Sequence, residues 1–427
     1  MKYICTFIVF LVAASMSAFT QVPLSLSQCY HLARENYPLI HQYELIKLSE
    51  QFKLSNISKR WLPQLSLNVQ ASYQNEVTKL PFDEKLFSSL MPGSSIPVLN
   101  KDQYRVVAQI DQVLWDGGNM QASKALTRAE TKAQKEQLES ELYVIQERIN
   151  ELYFGCLLQE ELLKQNKLLQ NDLQNNMKQI TSMIHNGVAN QSDLETMQVE
   201  LLNAQQKEIE LQAEREAFRS MLGTFIHRQL TDDVILTLPK LPERFVTTAY
   251  NRPELRTLDA QSKLLQNRTR LLKAGVMPRF SAFFQGGYGR PALNMLSNEF
   301  EGFYVAGVRL SWNIGNFYTL KNERKDIELK RKLIDRQKET FLFNTQLLLL
   351  KEDTEIKKIK ELMKSDEEII RLRKNIKKAA EVKLRNGVIT VNDLIREINA
   401  EDLARKRAAI HHIIHVMHNY KRLFITD

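Results

Sequence analysis

Strict alternation of apolar and polar residues marks four segments of the chain. In the first, every second residue from Leu65 to Tyr73 is apolar, and the residues between them are Ser, Asn or Gln. A period of two places successive side chains on opposite faces of a β-strand. The alternation, less clean in the last two segments, predicts strands at about 63–74, 103–115, 278–289 and 303–314.

A second pattern, with a period of three and four residues, predicts long helices. From Leu142 to Ile184, thirteen positions follow strict three–four spacing, and ten of them are apolar. This spacing is typical of a coiled-coil helix. Helix breakers are scarce: the chain has 14 Gly and 11 Pro in 427 residues, and Gly387 is the only Gly or Pro after residue 315. A compact α/β enzyme, which needs a turn every ten to fifteen residues, is nearly excluded.

The chain contains two copies of one unit. NGVANQSDL at 186–194 recurs as NGVITVNDL at 386–394, and WLPQLSLNVQASY at 61–73 recurs as VMPRFSAFFQGGY at 276–288. The offsets are 200 and 215, because the first copy carries fifteen extra residues between its strands. The pattern of residues in each copy predicts, in order, a rising helix, a strand, a loop, a strand, a very long helix, a turn and a returning helix.

These patterns divide the chain into three parts. Lys2, an apolar run at 4–14 and small residues after it are typical of a cleavable secretory signal peptide. The predicted parts are a signal peptide at 1–20, a first repeat at 21–238 with rising helix 27–59 and hairpin about 119–222, and a second repeat at 239–427 with rising helix 253–274 and hairpin about 319–425. The sequence leaves open whether Cys29 and Cys156 pair.

The predicted strands have the length that a tilted strand needs to cross a membrane. Four strands cannot close a barrel, because closed barrels begin at about eight strands and unpaired backbone groups in lipid cost several kcal/mol each. We therefore expect an oligomer, in which three copies supply twelve strands. The long helix from 119 to 185 would extend this barrel by roughly 100 Å at 1.5 Å per residue, which indicates a transport conduit rather than a catalyst.

The sequence resembles the TolC-type outer membrane efflux proteins, also called outer membrane factors. The resemblance rests on the doubled NGVxxxxDL, on QVLWDGG at 112–118, on LSWNIGN at 310–316 and on WLPQLSL at 61–67. It implies a mostly α fold with a β-barrel contribution: a two-fold repeat of long coiled-coil hairpins plus four transmembrane β-strands per chain. Trimerisation would give a 12-stranded barrel and a periplasmic α-barrel. GNFY at 315–318 departs from the usual aromatic-Asp-Gly-Gly ending, which loosens the predicted strand boundary there.

The resemblance also implies a function and a location. The expected protein is the exit duct of a tripartite efflux system in the outer membrane of a Gram-negative bacterium, with a long periplasmic extension. It would export small molecules with a periplasmic adaptor and an inner-membrane pump, without a cofactor or nucleic acid. A duct for type I protein secretion and a periplasmic coiled-coil scaffold without a pore stay open. An enzyme is the last choice, because no Ser-His-Asp, Walker, zincin or Rossmann arrangement occurs in a suitable context.

Two glycines mark the far ends of the predicted hairpins. Gly187 and Gly387 are expected to be left-handed C-caps, where a residue without a Cβ is favoured. The resemblance adds that the hairpin tips dock the adaptor, through Gly187, Val188, Gly387 and Val388. Val188 and Val388 immediately follow the two glycines.

Two carboxylates follow the tips. Asp193 and Asp393 are predicted at the third position of the returning helices, with Asn190 or Thr390 as N-cap. The resemblance implies that a carboxylate at the position of Asp393 lines a narrow periplasmic entrance, so Asp193 and Asp393 are the predicted pore constriction. Arg396 stands where a second carboxylate is sometimes found, so this ring is expected to be weaker or salt-bridged.

Histidines and tryptophans complete the set of candidate residues. His411, His415 and His418 share one helical face and are weak candidates for a metal site, although no metal is predicted. The alternative is that they are the polar complement of an apolar packing face. Trp61, Trp115 and Trp312 lie at or near strand ends, where an aromatic girdle at a membrane interface explains them.

Overall fold

A computed structural model describes residues 22–78, 99–241, 251–295 and 297–426. The predicted signal peptide lies outside them. In chain order the helices are α1 (Leu26–Asn36), α2 (Gln42–Lys59), α3 (Asn119–His185), α4 (Gln191–Ile226), α5 (Pro253–Gly275), α6 (Asn316–Arg385) and α7 (Val391–Thr426), and the strands are β1 (Val22–Leu24), β2 (Gln64–Tyr73), β3 (Asp102–Trp115), β4 (Val234–Leu236), β5 (Arg279–Arg290) and β6 (Glu301–Ser311). The mostly helical fold with two repeats is confirmed. None of the described helices combines the length and the apolar character needed to cross a bilayer.

The first rising helix differs from its prediction. A continuous helix at 27–59 is wrong: α1 ends at Asn36, a 3₁₀ turn follows at Pro38–His41, and α2 begins at Gln42. Proline lacks a backbone N–H and disfavours the helical conformation in the preceding residue. Tyr37 is accordingly extended, with φ −70° and ψ 131°. The second rising helix, α5, begins directly at its own proline and stays unbroken.

The last long strand is also shorter than predicted. β6 ends at Ser311 instead of about 314, and α6 begins at Asn316 instead of about 319. The N–H groups of Phe317 and Tyr318 donate to the carbonyls of Ile314 and Gly315 at 3.0 Å, so a helical turn has already started. This is the segment in which the sequence departs from the efflux-protein pattern.

Four long strands form one antiparallel sheet in the order β2–β3–β5–β6. The register continues the alternation from strand to strand, so Leu65 lies opposite Ile110, Ile110 opposite Phe284 and Phe284 opposite Ala306. Apolar side chains therefore share one face along all four strands. Among the described residues, β2 and β6 each pair with one strand only, which leaves two backbone edges without a partner strand.

A second, small sheet was not expected from the sequence. β1 pairs in parallel with β4, with Val22 opposite Val234 and Leu24 opposite Leu236. The fully buried Tyr153 of α3 donates its hydroxyl to the carbonyls of Leu24 at 2.8 Å and Thr237 at 2.6 Å. The sheet thus fastens the start of the described chain to the segment that follows α4.

The chain divides into two compact units. The helical unit comprises the described residues of Met1–Gln42, Gln137–Arg256 and Glu339–Asp427, and the sheet unit those of Tyr43–Glu136 and Thr257–Lys338. In the helical unit, ten buried apolar residues from both hairpins form a core, next to the turns at Gly187 and Gly387. Cys29 and Cys156 are buried in this unit as free thiols, and burial raises the pKa of each to about 12.

Candidate functional site

The two hairpin tips of the helical unit have the same backbone geometry. Gly187 has φ +72° and Gly387 has φ +69°, which confirms the predicted left-handed C-caps. At each tip, the glycine N–H donates to the carbonyl three residues before it. The N–H of the following valine donates to the carbonyl five residues before it, and all four distances are 2.9 to 3.0 Å. This is the Schellman arrangement, which satisfies carbonyls that the end of the helix leaves free.

The residue after each glycine is an exposed valine. Val188 is 55% exposed and Val388 is 68% exposed, whereas Ala189 and Ile389, one residue further on, pack against the shared core. An apolar side chain held out by a rigid turn, beside a core that anchors its neighbour, can bind an apolar partner surface. The structure brings the tips of both repeats to one core, so two such valines belong to the same part of the helical unit.

Asp193 caps the first returning helix. Its backbone N–H donates to Asn190 Oδ1 at 3.0 Å, and the Asn190 N–H donates back to Asp193 Oδ2 at 3.1 Å. This reciprocal capping box satisfies two N–H groups at the start of α4. The predicted local role of Asp193 is therefore confirmed, and its carboxylate is held by the turn rather than by another helix.

Asp393 repeats this cap with different donors. Its Oδ2 accepts the Thr390 hydroxyl at 2.8 Å and the Thr390 N–H at 3.1 Å, while Arg396 Nη2 lies 3.4 Å from Oδ1. These hydrogen bonds, and the Arg396 charge in addition, hold the pKa of Asp393 below its usual range. The ion pair with Arg396 is the salt-bridged state that the sequence suggested for this carboxylate.

The histidines of α7 do not converge on one point. Nδ1 of His411 lies 2.8 Å from Asp366 Oδ2, and Nδ1 of His418 lies 2.6 Å from Glu352 Oε2, so each contacts a different carboxylate of α6. Burial, with the neighbouring charges of other basic groups, lowers the pKa of His415. In the part of the chain that the structure describes, no three His, Cys, Asp or Glu side chains are grouped to hold a metal.

A buried ion-pair network links the two repeats near the tips. Lys377 Nζ lies 2.8 Å from Asp172 Oδ2 of α3 and 2.7 Å from Glu401 Oε2 of α7. Burial alone would lower the pKa of Lys377, but hydrogen bonds and charges of the two carboxylates outweigh it, and the pKa is raised. Arg405 also pairs with Glu401, whose side chain is 2% exposed. The network was not predicted from the sequence, although Glu401 continues the buried stripe of Leu394 and Ile398.

Solved structures resemble the chain over nearly its full length. The open state of the Neisseria gonorrhoeae MtrE outer membrane channel is 14% identical with a TM-score of 0.67, and the match covers 96% of this chain and 93% of that one. The outer membrane protein VceC from the bacterial pathogen Vibrio cholerae is 10% identical with a TM-score of 0.65, covering 93% and 95%. The Campylobacter jejuni CmeC outer membrane channel is 12% identical with a TM-score of 0.65, covering 93% and 85%.

These matches are in structure and not in sequence. No protein-family model matches the chain, and a comparison with curated proteins finds no match either. At such low identities the likeness shows the fold: the chain has the fold of the TolC-type outer membrane factors, and MtrE and CmeC, which share it, are outer membrane channels.

Proposed function

We propose that three copies of this chain form an outer membrane channel that continues into a long periplasmic duct. The supporting observation is the sheet of β2, β3, β5 and β6, with one apolar face and two backbone edges that have no partner strand among the described residues. In hydrocarbon every backbone N–H and C=O needs a hydrogen-bond partner, so these edges require strands from other copies. Joining β6 of one copy to β2 of the next closes a ring of twelve strands, within the size range of outer membrane barrels.

Exposed apolar residues in the helical unit support the same association. α6 carries many exposed apolar side chains, whereas α3 carries few. Those of α6 in the helical unit are Phe343, Leu347, Leu348, Leu350, Leu362, Ile369, Leu372, Ile376 and Val382. Burying such a stripe stabilises by roughly 25 cal/mol per Å² of apolar surface, and neighbouring copies are the partners that a closed helical duct supplies.

The proposed duct is the exit of a tripartite efflux system and not an enzyme. Its barrel lies in the outer membrane of a Gram-negative bacterium, and its hairpins extend into the periplasm. Val188 and Val388, with Gly187 and Gly387, dock a periplasmic adaptor that joins the duct to an inner-membrane pump. Asp193 and Asp393 line the constriction through which the exported small molecules enter.

The mass of the particle extracted from outer membranes in detergent tests the assembly. Light scattering after size exclusion should give about three chains per particle, because four strands per chain close only with other copies, and single-channel conductance should follow in lipid. A soluble monomer or dimer would contradict the channel and leave the coiled-coil scaffold.

Docking is tested by charged substitutions at the tips. Val188→Asp and Val388→Asp should abolish efflux in a complementation assay while the trimer persists, because a carboxylate replaces the apolar contact. Val199→Asp is the matched control, since Val199 of α4 has the same 55% exposure as Val188. Unimpaired efflux in the tip variants would remove the docking role.

The constriction is tested by ion selectivity. Asp393→Ala should lower the cation selectivity of single channels and their block by trivalent cations, because it removes one carboxylate from each copy. Asp326→Ala is the control, since Asp326 also pairs within its helix, with Lys330 at 2.6 Å. Equal selectivity in the wild type and in Asp393→Ala would exclude Asp393 from the constriction.

A further inference from the structure

All four long strands meet their helices at the same edge of the sheet. β2 begins where β3 ends, and β5 begins where β6 ends, as the pairing of Arg279 with Ser311 shows. The junctions contact one another there: Trp312 Nε1 donates to the Val276 carbonyl at 3.0 Å, and Asn316 Nδ2 to that of Gly275 at 3.1 Å. The sheet unit therefore has one helical edge, formed by α2, α3, α5 and α6.

This helical edge carries almost all the excess positive charge of the chain. The fourteen residues of each helical segment next to its strand hold eleven Lys and Arg against three Asp and Glu, a net charge of +8, while the whole chain has +9. The segments are 50–63, 116–129, 265–278 and 312–325. At the opposite edge, the described residues 74–78, 99–101, 291–295 and 297–300 hold one Lys against two Glu, a net charge of −1.

We name the eleven cations the basic collar. They are Lys53, Lys59, Arg60, Lys124, Arg128, Arg268, Arg270, Lys273, Lys321, Arg324 and Lys325. All except the half-buried Lys124 are exposed, and none makes an ion pair with another described residue. One of the three acids, Asp116, is already engaged as a helix cap, because its carboxylate accepts the N–H groups of Gly118 at 3.0 Å and Met120 at 2.6 Å.

The start of α6 shows how the collar combines charge with apolar surface. Lys321, Arg324 and Lys325 follow i, i+3, i+4 spacing and share one helical face. They line a cavity of about 580 Å³ together with Phe317 and Leu320. Cations beside an apolar surface complement a phospholipid, in which a phosphate group adjoins acyl chains.

We infer that the basic collar binds the phosphate groups of anionic phospholipids in the leaflet next to the helices. The inference rests on the proposed membrane position of the sheet, and the asymmetry of charge specifies which edge faces that leaflet. Lys and Arg near an anionic surface attract it within a Debye length, about 8 Å at physiological salt. Lys321, five residues after the start of α6, lies roughly 8 Å along the helix at 1.5 Å per residue.

The chain carries its own reporter for this contact. Its three tryptophans, Trp61, Trp115 and Trp312, all lie at the helical edge and are 45% to 51% exposed. Full-length mature protein is reconstituted into vesicles with brominated phosphatidylglycerol or brominated phosphatidylcholine, which quench tryptophan on contact. The relative association constant of the anionic lipid should exceed that of the zwitterionic lipid by about tenfold, and about 0.5 M NaCl should reduce the ratio.

Two matched variants assign the effect to the collar. Each replaces six cations by Gln, so both lose the same charge. The collar variant changes Arg268, Arg270, Lys273, Lys321, Arg324 and Lys325, and the control variant changes the exposed Lys167, Lys351, Lys357, Lys360, Lys374 and Lys378 of the helical unit. The ratio should fall close to one in the collar variant and stay unchanged in the control.

The outcomes separate this inference from the proposed function. Equal quenching by both lipids in the wild type would overturn the collar while leaving the sheet in the membrane. Quenching by neither lipid would overturn the membrane position itself, and the collar with it. A preference retained by the collar variant would also overturn the assignment. Displacement by inorganic phosphate beyond the effect of equal ionic strength would show a free-phosphate site instead of a lipid surface.

Discussion

The two repeats fold alike, but different contacts hold the C-terminal ends of their returning helices. We call these two sets of contacts, around Arg219 and Arg252, the fastenings. In the first repeat, α4 ends at Ile226 and the segment after it folds back onto the helix, around the buried side chain of Arg219. In the second, α7 ends at Thr426 against Arg252, which lies immediately before α5. The repeats therefore share the positions of their helix ends and not the residues that hold them.

Arg219 is the centre of the first fastening. Its guanidinium donates to the carbonyls of Thr231 at 2.7 Å and Val234 at 2.8 Å and to Glu160 Oε1 at 2.6 Å, and its side chain is 3% exposed. Gly223 permits this return, because a Cβ there would lie 2.7 Å from the Arg228 carbonyl. One buried cation thus joins α3, α4 and the segment that contains β4.

Arg252 is the centre of the second fastening. Its guanidinium donates to the carbonyls of Phe424 and Ile425 at 3.1 and 3.4 Å, and it lies 5.0 Å from the Tyr143 ring and 5.1 Å from the Phe424 ring. A cation at the carbonyl end of a helix is favoured by the helix dipole. In the first repeat, Tyr37 occupies the equivalent position before the proline and stacks on Phe225 at 6.1 Å.

This difference shows that geometry, and not residue identity, is retained between the repeats. Pro38 starts the turn before α2 and Pro253 starts α5, at equivalent positions of the two repeats, and a glycine ends the long helix at each tip. Between these points, an aromatic pair in one repeat and a cation in aromatic surroundings in the other can fill the same place. Substitutions in the fastenings should therefore act on one repeat and spare the other.

Removing Arg219 should have the largest effect. Arg219→Met leaves Glu160 without its partner and removes the donor to the carbonyls of Leu230, Thr231 and Val234, so the free energy of unfolding of the first repeat should fall by about 3 kcal/mol. Hydrogen exchange by mass spectrometry should show lost protection in α4 and β4 but not in α7. Arg215→Met is the control, because Arg215 pairs at 2.9 Å with Asp232, whose side chain is 82% exposed. Such a pair contributes less than about 1 kcal/mol, and equal losses in both variants would contradict the assignment.

Removing Arg252 should have the next largest effect, on the second repeat. Arg252→Met removes the carbonyl hydrogen bonds and the ring contacts, which together contribute about 2 kcal/mol. Tyr37→Leu, at the equivalent position of the first repeat, loses only a ring stack of about 1 kcal/mol. Thermal unfolding should rank the two variants in this order, and hydrogen exchange should place the losses in α7 and α4 respectively. A reversed ranking would show that the two positions do not differ as the contacts indicate.

Much of this fold follows from local sequence patterns. Alternation predicts β2 within one residue, and the doubled NGV motif predicts both tips, since a glycine after a long helix favours a left-handed cap. The reciprocal caps of Asp193 and Asp393 also follow from spacing alone. These features depend on residues close together in the sequence, which is why the sequence alone is enough to predict them.

The fastenings could not be predicted in the same way, because their partners are distant in the sequence. Nothing near Arg252 indicates that Phe424 lies over it, and the pairing of β1 with β4 joins segments that are 212 positions apart. A partial signal exists for Arg219: it falls on the buried stripe of Leu211 and Leu222, where a charged residue indicates a buried ion pair. The break between α1 and α2 had a plain signal in Pro38, which the helical pattern around it concealed.

The tips should respond equally, because their geometry is equal. Gly187→Ala and Gly387→Ala place a Cβ in the left-handed region, at a cost of about 1 kcal/mol each, although open space surrounds both positions. Gly275→Ala is the control, since Gly275 also has open space but no positive φ. Denaturant unfolding should show matched losses at the two tips and none at Gly275. Unequal losses of stability at the two tips would mean that the packing of neighbouring residues, and not φ alone, sets the requirement for glycine.

The smallest expected effect is a pH dependence at the second tip. The pKa of Asp393 in the folded chain is lowered, first by the Thr390 hydroxyl. The ionised carboxylate therefore stabilises the turn at any pH above 3.8, the ordinary pKa of an Asp side chain. This contribution is lost as the pH falls through the folded pKa. The amides at the start of α7 should therefore lose protection from hydrogen exchange, corrected for intrinsic rates, only as the pH falls through the folded pKa of Asp393. Thr390→Val removes the hydroxyl donor and should move the loss to higher pH, toward 3.8. An unchanged midpoint in Thr390→Val would mean that the hydroxyl does not hold the carboxylate, and the difference between the two caps would then reside in Arg396.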